Sequence, residues 1–357
     1  LITSNRINTP EVAEAVLARG DADMVSMARP FLADAEFVVK AEQNRSDEIN
    51  TCIGCNQACL DNIFNGKLTS CLVNPRACHE LQLQIAPADA PKHIAIVGAG
   101  PAGLAAAVTA ARRGHRVTLY DKSTEIGGQF NIARQIPGKE EFSETLRYFS
   151  KQLEIYGVEV KLGVEVTAEM LNDSSADSVL LATGIEPRVP DIAGVDHPSV
   201  MTYLDVIKAK KPVGKRVAII GAGGIGFDVA EYLSHGKNSP SLNIPQFMKE
   251  WGIDMTLTAR AGVEGVKPQP EPSTRQIFLL QRKSSKIGAG LGKTTGWSHR
   301  ANLMMKGVKM IPGVQYQRID DNGIHCIIDG ESTVLAVDNV IVCAGQEPLR
   351  ALQEGLK

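Results

Sequence analysis

Two patterns of strand, glycine turn and helix, in tandem, constrain this chain more than any other feature. An apolar run at His93–Val97 leads into Gly98-Ala99-Gly100-Pro101-Ala102-Gly103, then a helical stretch, Leu104–Arg113, and a second strand, Arg116–Tyr120. The same order returns about 120 residues later as Arg216–Ile220, Gly221-Ala222-Gly223-Gly224-Ile225-Gly226 and Phe227–Leu233. Glycines at this spacing let the chain turn tightly and bring backbone N–H groups up to a pyrophosphate at a helix N-terminus. A glycine pattern alone is weak; the strand before it and the helix after it make it meaningful. Two such units predict α/β architecture with nested Rossmann-like dinucleotide-binding domains, and no short-period repeat competes with that reading.

At the first turn, Asp121 ends the second strand, next to Lys122, where a carboxylate can accept from ribose hydroxyls. Gly127-Gly128-Gln129 adds a second glycine turn, and Val179–Leu181 runs into Ala182-Thr183-Gly184. Both features are of the kind found in FAD-binding flavoproteins with two dinucleotide domains, so Gly98, Gly100, Pro101, Ala102, Gly103, Gly128, Ala182 and Gly184 are assigned to FAD. The second domain ends in a similar segment, Val340–Gly345. Around its turn, formed by Gly221, Gly223, Gly224, Ile225 and Gly226, the acidic residue expected after the next strand is missing. Instead Arg275–Gln281 reads as a strand that ends in Arg282-Lys283. Two cations suit a 2′-phosphate, so NADPH is favoured over NADH; the bland alternative is a solvated basic turn. A long insertion, Ser234–Pro272, and a glycine- and lysine-rich loop, Lys286–Trp297, have no use legible in sequence.

Four of the seven cysteines crowd into Cys52-Ile53-Gly54-Cys55-Asn56-Gln57-Ala58-Cys59 and Cys71. That is a poor disulfide framework and a good metal pattern for a reducing compartment. Three thiolates on one tight loop and one from further along can ligate a [4Fe–4S] cube. Tetrahedral zinc is the alternative, although two C-x-x-C pairs would suit it better. Cys78, Cys326 and Cys343 read as packed thiols and His79 as an ordinary histidine.

The charge balance of 38 basic against 40 acidic residues, without long blocks of one sign, and an aromatic content of 5% give no nucleic-acid surface or polybasic membrane anchor. No apolar stretch reaches membrane-spanning length, so a cytoplasmic protein is expected. Residues 1–50 read as the tail of a βα repeat, with a helix from Pro10, a strand within Ala22–Ala28 and then Arg29-Pro30. Such a piece cannot bury its own faces, and both ends of the sequence read as cut.

Taken together, Cys52–Cys59, Gly127-Gly128-Gln129-Phe130-Asn131, Ile219-Ile220-Gly221 and Gly292-Lys293-Thr294-Thr295-Gly296-Trp297 resemble the NADPH-dependent 2,4-dienoyl-CoA reductases over essentially the whole chain. The resemblance implies the C-terminal part of a (β/α)8 FMN barrel over 1–50, a TIM-barrel remnant. It implies a [4Fe–4S] segment and linker over 51–90, an FAD domain over 91–200, an NADPH domain over 201–345 and the start of a return to the FAD domain over 346–357. Electrons would pass from NADPH to FAD, the cluster, FMN and a 2,4-dienoyl-CoA. The acid residues of that family lie in barrel outside this sequence, so no catalytic residue is assigned. Its FMN contacts fall on Arg6, Ala28 and Arg29. Its FAD contacts fall on Ala102, Asp121, Gln129, Lys139 and Val166. Three alternatives stand beside it: an amine-dehydrogenase-like iron–sulfur flavoprotein, a disulfide reductase, for which the redox-active cysteine pair is missing, and an electron-transfer module without catalysis of its own.

Overall fold

A computed structural model describes residues 1–236 and 239–356; Lys237 and Asn238, inside the expected insertion, and Lys357, at the end of the return segment, lie outside the described residues. The chain forms two compact units. The first comprises Leu1–Asn131, Glu141–Gly184 and the stretch from Pro348 onward, the second Ile132–Glu140 and Ile185–Glu347. Among the described residues no helix is long and apolar enough to cross a membrane.

In the first unit, β1 (Ile2–Ser4) and β2 (Met24–Ser26) form a short parallel pair joined by the helix Pro10–Ala18. Thr9 caps that helix, its side chain accepting from Val12 N, and Pro10 occupies a first-turn position where its missing N–H costs nothing. Further on, β3 (His93–Val97), β4 (Arg116–Asp121), β5 (Glu159–Leu162) and β6 (Ser178–Leu181) make a parallel sheet in the order β5-β4-β3-β6. Alternation along β3 divides the core. Ile96 faces Leu104, Val108, Leu119, Phe149 and Leu153, whereas Ala95 and Val97 face Val166 and Leu171.

The second unit contains β7 (Ile185–Pro187), β8 (Val200–Thr202), β9 (Arg216–Ile220), β10 (Gln276–Leu280), β11 (Lys309–Ile311), β12 (Gln315–Asp320), β13 (Gly323–Ile328), β14 (Glu331–Leu335), β15 (Asn339–Val342) and all but the last residue of β16 (Gln346–Pro348). Five of them form a parallel sheet, β11-β10-β9-β15-β8, and β12-β13-β14 form an antiparallel one. Val217 and Ile219 of β9 point to one core with Phe227, Ala230, Leu279 and Ile341; Ala218 and Ile220 point to another with Leu280, Val314, Ile324 and Val340.

Both helices that follow the glycine turns begin earlier than their apolar periodicity suggests, at Pro101 and Gly224 instead of Leu104 and Phe227. Their first turns are Pro101-Ala102-Gly103 and Gly224-Ile225-Gly226, where glycine fills three of six positions and interrupts the apolar periodicity. The expected insertion carries secondary structure of its own. It holds the helix Ile244–Trp251, capped by Asn243 and ended by Gly252 in the left-handed region. Glu250 of that helix is buried and pairs with Lys306 at 3.2 Å, and Lys306 Nζ also donates to the Glu271 carbonyl at 3.0 Å. A buried charge is tolerable only with such partners.

The helix and strand at each turn approach so closely that a side chain cannot fit. A Cβ on Gly103 would lie 1.7 Å from the Gly98 carbonyl oxygen, and one on Gly226 would lie 1.8 Å from that of Gly221. By contrast a Cβ on Gly224 would meet nothing within 4 Å. Gly226→Ala is therefore expected to lower the unfolding free energy by about 1–3 kcal/mol, and Gly224→Ala to change it by less than about 1 kcal/mol. Urea unfolding followed by circular dichroism measures both, and indistinguishable curves would refute the close-approach argument.

Candidate cofactor sites

Cys52, Cys55, Cys59 and Cys71 line one small cavity with Arg29, Leu32, Ile53, Asn56, Leu72 and Val73, and none of the four is in a disulfide. Their loop has Gly54 and Asn56 at positive φ, which folds three cysteines into a tight curve. The fourth arrives on a segment tied down separately. Ser70 N donates to the Ala58 carbonyl at 2.8 Å, Asn50 Nδ2 to Val73 O at 2.8 Å and Asn74 Nδ2 to Leu32 O at 2.9 Å. Burial pushes the Cys55 thiol up to about 11 and the Cys71 thiol up as well. Against burial, the backbone N–H of Gln57 donates to Cys55, and those of Val73 and Asn74 donate to Cys71. These are the donors a metal-bound thiolate uses. The donor set is all sulfur. Among the described residues no three Cys, His, Asp or Glu side chains close on a single point tightly enough to hold one metal ion. Thiols spread around a cavity, two of them N–H-supported, fit a multi-iron cluster, whose ligands take separate corners.

A second cavity, about 340 Å³, opens at the ends of β1 and β2 and is lined by Ser4–Asn8, Ser26–Pro30, Cys52 and Gly54. It brings together Arg6, Ala28 and Arg29. Asn5 and Arg6 are both left-handed, at φ of 77° and 59°, a strain of about 1–3 kcal/mol each that clusters at ligand sites. Arg29 Nη1 donates to Asn56 Oδ1 at 2.6 Å, fixing the cysteine loop from this side. Arg6 pairs with Glu141 at 3.0 Å. Arg29 and Cys52 line both cavities.

At the first glycine turn, a Cβ on Gly98 would lie 2.2 Å from the Ala182 carbonyl oxygen, and one on Gly128 would lie 3.0 Å from Gly100 Cα. Gly127 N donates to Ala99 O at 2.8 Å, so the two turns abut. Asp121 is turned onto this structure as well: its oxygens accept from Ala99 N at 2.6 Å and Ser123 N at 2.7 Å. Each oxygen keeps a second lone pair for a ribose hydroxyl. Thr183 Oγ1 donates to Leu349 O at 2.7 Å, and Leu349 N donates to Gly184 O at 3.0 Å, which places the return segment beside Ala182–Gly184. Pro101 and Gln129 are half-buried, whereas Ala102 and Lys122 are exposed. Two expected FAD contacts differ from the rest. The Val166 side chain is buried among Val97 and Leu171, so only its backbone can meet a ligand. Lys139 falls in the second unit, where it pairs with Asp228 at 2.5 Å.

At the second turn a Cβ on Gly221 would lie 2.4 Å from Cys343 O, while Gly223 and Gly224 face open space. Ile225 packs against the apolar core, leaving its backbone for a ligand. Gln281 organises the basic turn beyond β10: its amide donates to Lys283 O at 2.9 Å and Ser285 O at 2.8 Å, and its backbone continues the pairing with Ile311 and Val314. Arg282 and Lys283 are exposed, and among the described residues neither has a carboxylate partner. On the helix after this turn Glu231 is buried and accepts from His299 Nδ1 at 2.8 Å. Asp228, one turn earlier, is pushed upward by burial against the pull of Lys139.

Two parallel nucleotide-type sheets, each with a glycine turn opening a helix, define a dinucleotide-dependent redox protein. Residues 92–357 match the pyridine nucleotide-disulphide oxidoreductase family, and the chain belongs to it. Residues 1–48 match the NADH:flavin oxidoreductase / NADH oxidase family. The chain is similar to a metal reductase of Desulforamulus reducens, 32% identical over 361 residues, covering 100% of this chain and 53% of that protein. It is also similar to an NADH oxidase of Thermoanaerobacter brockii, 38% identical over 355 residues, covering 98% and 49%. It thus spans about half the length of the curated relatives it matches. Among solved structures, 2-naphthoyl-CoA reductase with 2-naphthoyl-CoA matches at TM-score 0.86 and 29% identity, over 100% of this chain and 49% of the other. Histamine dehydrogenase from Rhizobium sp. 4-9 shares the fold, at TM-score 0.79 and 21% identity over 99% and 49%.

The His299–Glu231 contact gives a pH dependence whose sign is fixed. The hydrogen bond to Glu231 holds His299 above its ordinary value of 6.5, more than burial lowers it. A histidine raised on folding binds its proton more tightly in the folded state. Its contribution is therefore complete below about pH 6.5 and is lost as pH rises through the folded value. Urea midpoints across pH 5.5–8.5 are expected to fall with rising pH, and the slope is expected to flatten in His299→Gln. The same slope in the variant would show that this pair is not its source.

Proposed function

We propose that this chain is the electron-delivery portion of an iron–sulfur flavoenzyme that reduces conjugated acyl-CoA thioesters, with 2,4-dienoyl-CoA as its substrate class. The observation that carries the reading is the sharing of Arg29 and Cys52 between the cysteine cavity and the Arg6 cavity. Two redox groups held there would sit side by side. The similarity to a reductase of 2-naphthoyl-CoA supports a thioester substrate.

In this reading Cys52, Cys55, Cys59 and Cys71 hold a [4Fe–4S] cluster, supported by the N–H groups of Gln57, Val73 and Asn74. Arg6, Arg29 and the Ala28 backbone hold FMN, the two guanidiniums meeting its phosphate. FAD lies on Gly98–Gly103, Asp121 and Gly128, and NADPH on Gly221–Gly226 with Arg282 and Lys283. When bound, these groups supply the exchange between a two-electron hydride donor and single-electron transfer. Overall, the nicotinamide's hydride and one proton from solvent are added across the conjugated carbon system. The protein's part along this chain is to bind and orient. The bent backbone at Asn5 and Arg6 lines one cavity and that at Asn56 the other, and the exposed pair Arg282-Lys283 selects the phosphorylated nucleotide.

Stopped-flow bleaching of the protein-bound flavin tests the nucleotide assignment. NADPH is expected to reduce it at lower concentration than NADH, and Arg282→Ala/Lys283→Ala to erase that preference by about tenfold or more, since each charged contact is worth about 1.5–3 kcal/mol. Flavin that NADPH cannot bleach, but that an alkylamine can, would replace this reading with the amine-dehydrogenase one.

A further inference from the structure

Glu141, immediately before the helix Phe142–Ile155, lies far in sequence from both cavities of the first unit, yet it touches the frame of each. One oxygen pairs with Arg6 Nη2 at 3.0 Å. The other accepts from Asn8 Nδ2 at 3.1 Å, and Asn8 Nδ2 also donates to the Cys52 carbonyl at 3.0 Å. Both hydrogens of the Asn8 amide are thereby used. Arg6 in turn lies over the cysteine loop: a Cβ on Gly54 would be 2.3 Å from Arg6 Nη1. The Arg6–Glu141 pair is open to solvent, with side chains 58% and 36% exposed, so stability alone is a poor reason for it.

We propose that Glu141 is a positioning residue that sets the Arg6 guanidinium and the Cys52 backbone together, so that the groups held in the two neighbouring cavities keep a fixed spacing. Its carboxylate holds Arg6 in the left-handed backbone conformation seen here and orients Asn8 onto Cys52. The cluster role of the cysteines rests on the reading above, but the placement of Cys52 by Glu141 does not. Cys71 provides an internal reference, because Asn50, Asn74 and Ser70 fix its segment without Glu141.

The test is iodoacetamide labelling of the chain stripped of bound groups, resolved cysteine by cysteine by mass spectrometry. In Glu141→Ala, Cys52 is expected to label about tenfold faster or more, as loss of a charge-assisted hydrogen bond allows, while Cys71 keeps its wild-type rate. Glu141→Gln retains an acceptor for Asn8 and is expected to restore most of the protection. Unchanged labelling of Cys52 in Glu141→Ala, equal acceleration of Cys52 and Cys71, or a glutamine variant no better than alanine would each overturn the proposal. Iron analysis of the wild-type protein as isolated separates the two readings: protein without iron removes the cluster assignment and leaves the labelling result to decide the role of Glu141.

Discussion

The cysteine loop has little apolar core of its own, and the site depends on hydrogen bonds that hold it from outside. Arg29 reaches Asn56, Asn8 reaches the Cys52 carbonyl, and Asn50 and Asn74 fix the segment that brings in Cys71. Arg147 adds a brace, donating to Asp47 O and to Ile49 O at 2.7 Å. A loop built this way is ordered by polar contacts whose geometry is directional. Four free thiols line one cavity, and two arginines, Arg6 and Arg29, line the next.

The glycine turns solve a different problem with the same chemistry in both units. Close approach of helix and strand excludes a side chain at Gly103 and Gly226, and leaves the backbone N–H groups at the open end of each helix available to an anion. What differs is the charge beyond the next strand. Asp121 stands there in the first unit, already engaged with the turn, and Arg282-Lys283 in the second, exposed and, among the described residues, without a carboxylate partner. Opposite charges after the corresponding strands are the basis on which the proposed function assigns the two turns to different nucleotides.

Much of this was legible in sequence because it is local. β3 and β9 fall on the expected residues, since a buried parallel strand is a short continuous apolar run. The four cysteines that the spacing groups together line one cavity. The helices begin three residues earlier than the apolar periodicity indicates because their first turns, Pro101-Ala102-Gly103 and Gly224-Ile225-Gly226, are interrupted by glycine. The partners that shape the site were not legible at all. Asn8 and Glu141 are separated by 133 residues, Arg147 and Ile49 by 98, and nothing in either residue's neighbourhood marks the pairing. Lys139 reads as part of the first nucleotide domain, yet Ile132–Glu140 belongs with the second unit, a grouping set by tertiary contacts. The helix Ile244–Trp251 hides in a proline-rich stretch because its anchor, Glu250, is a charged residue whose burial depends on the distant Lys306.

The most direct measurement of the relay is electron paramagnetic resonance of the anaerobically purified protein before and after NADPH, with iron and sulfide counted on the same sample. About four irons and four sulfides per chain, with a reduced [4Fe–4S] signal that appears on adding NADPH, is the result the proposed function predicts for the four thiols around one cavity. Stoichiometric zinc at these cysteines, or a cluster that NADPH leaves silent while the flavin is reduced, would contradict it.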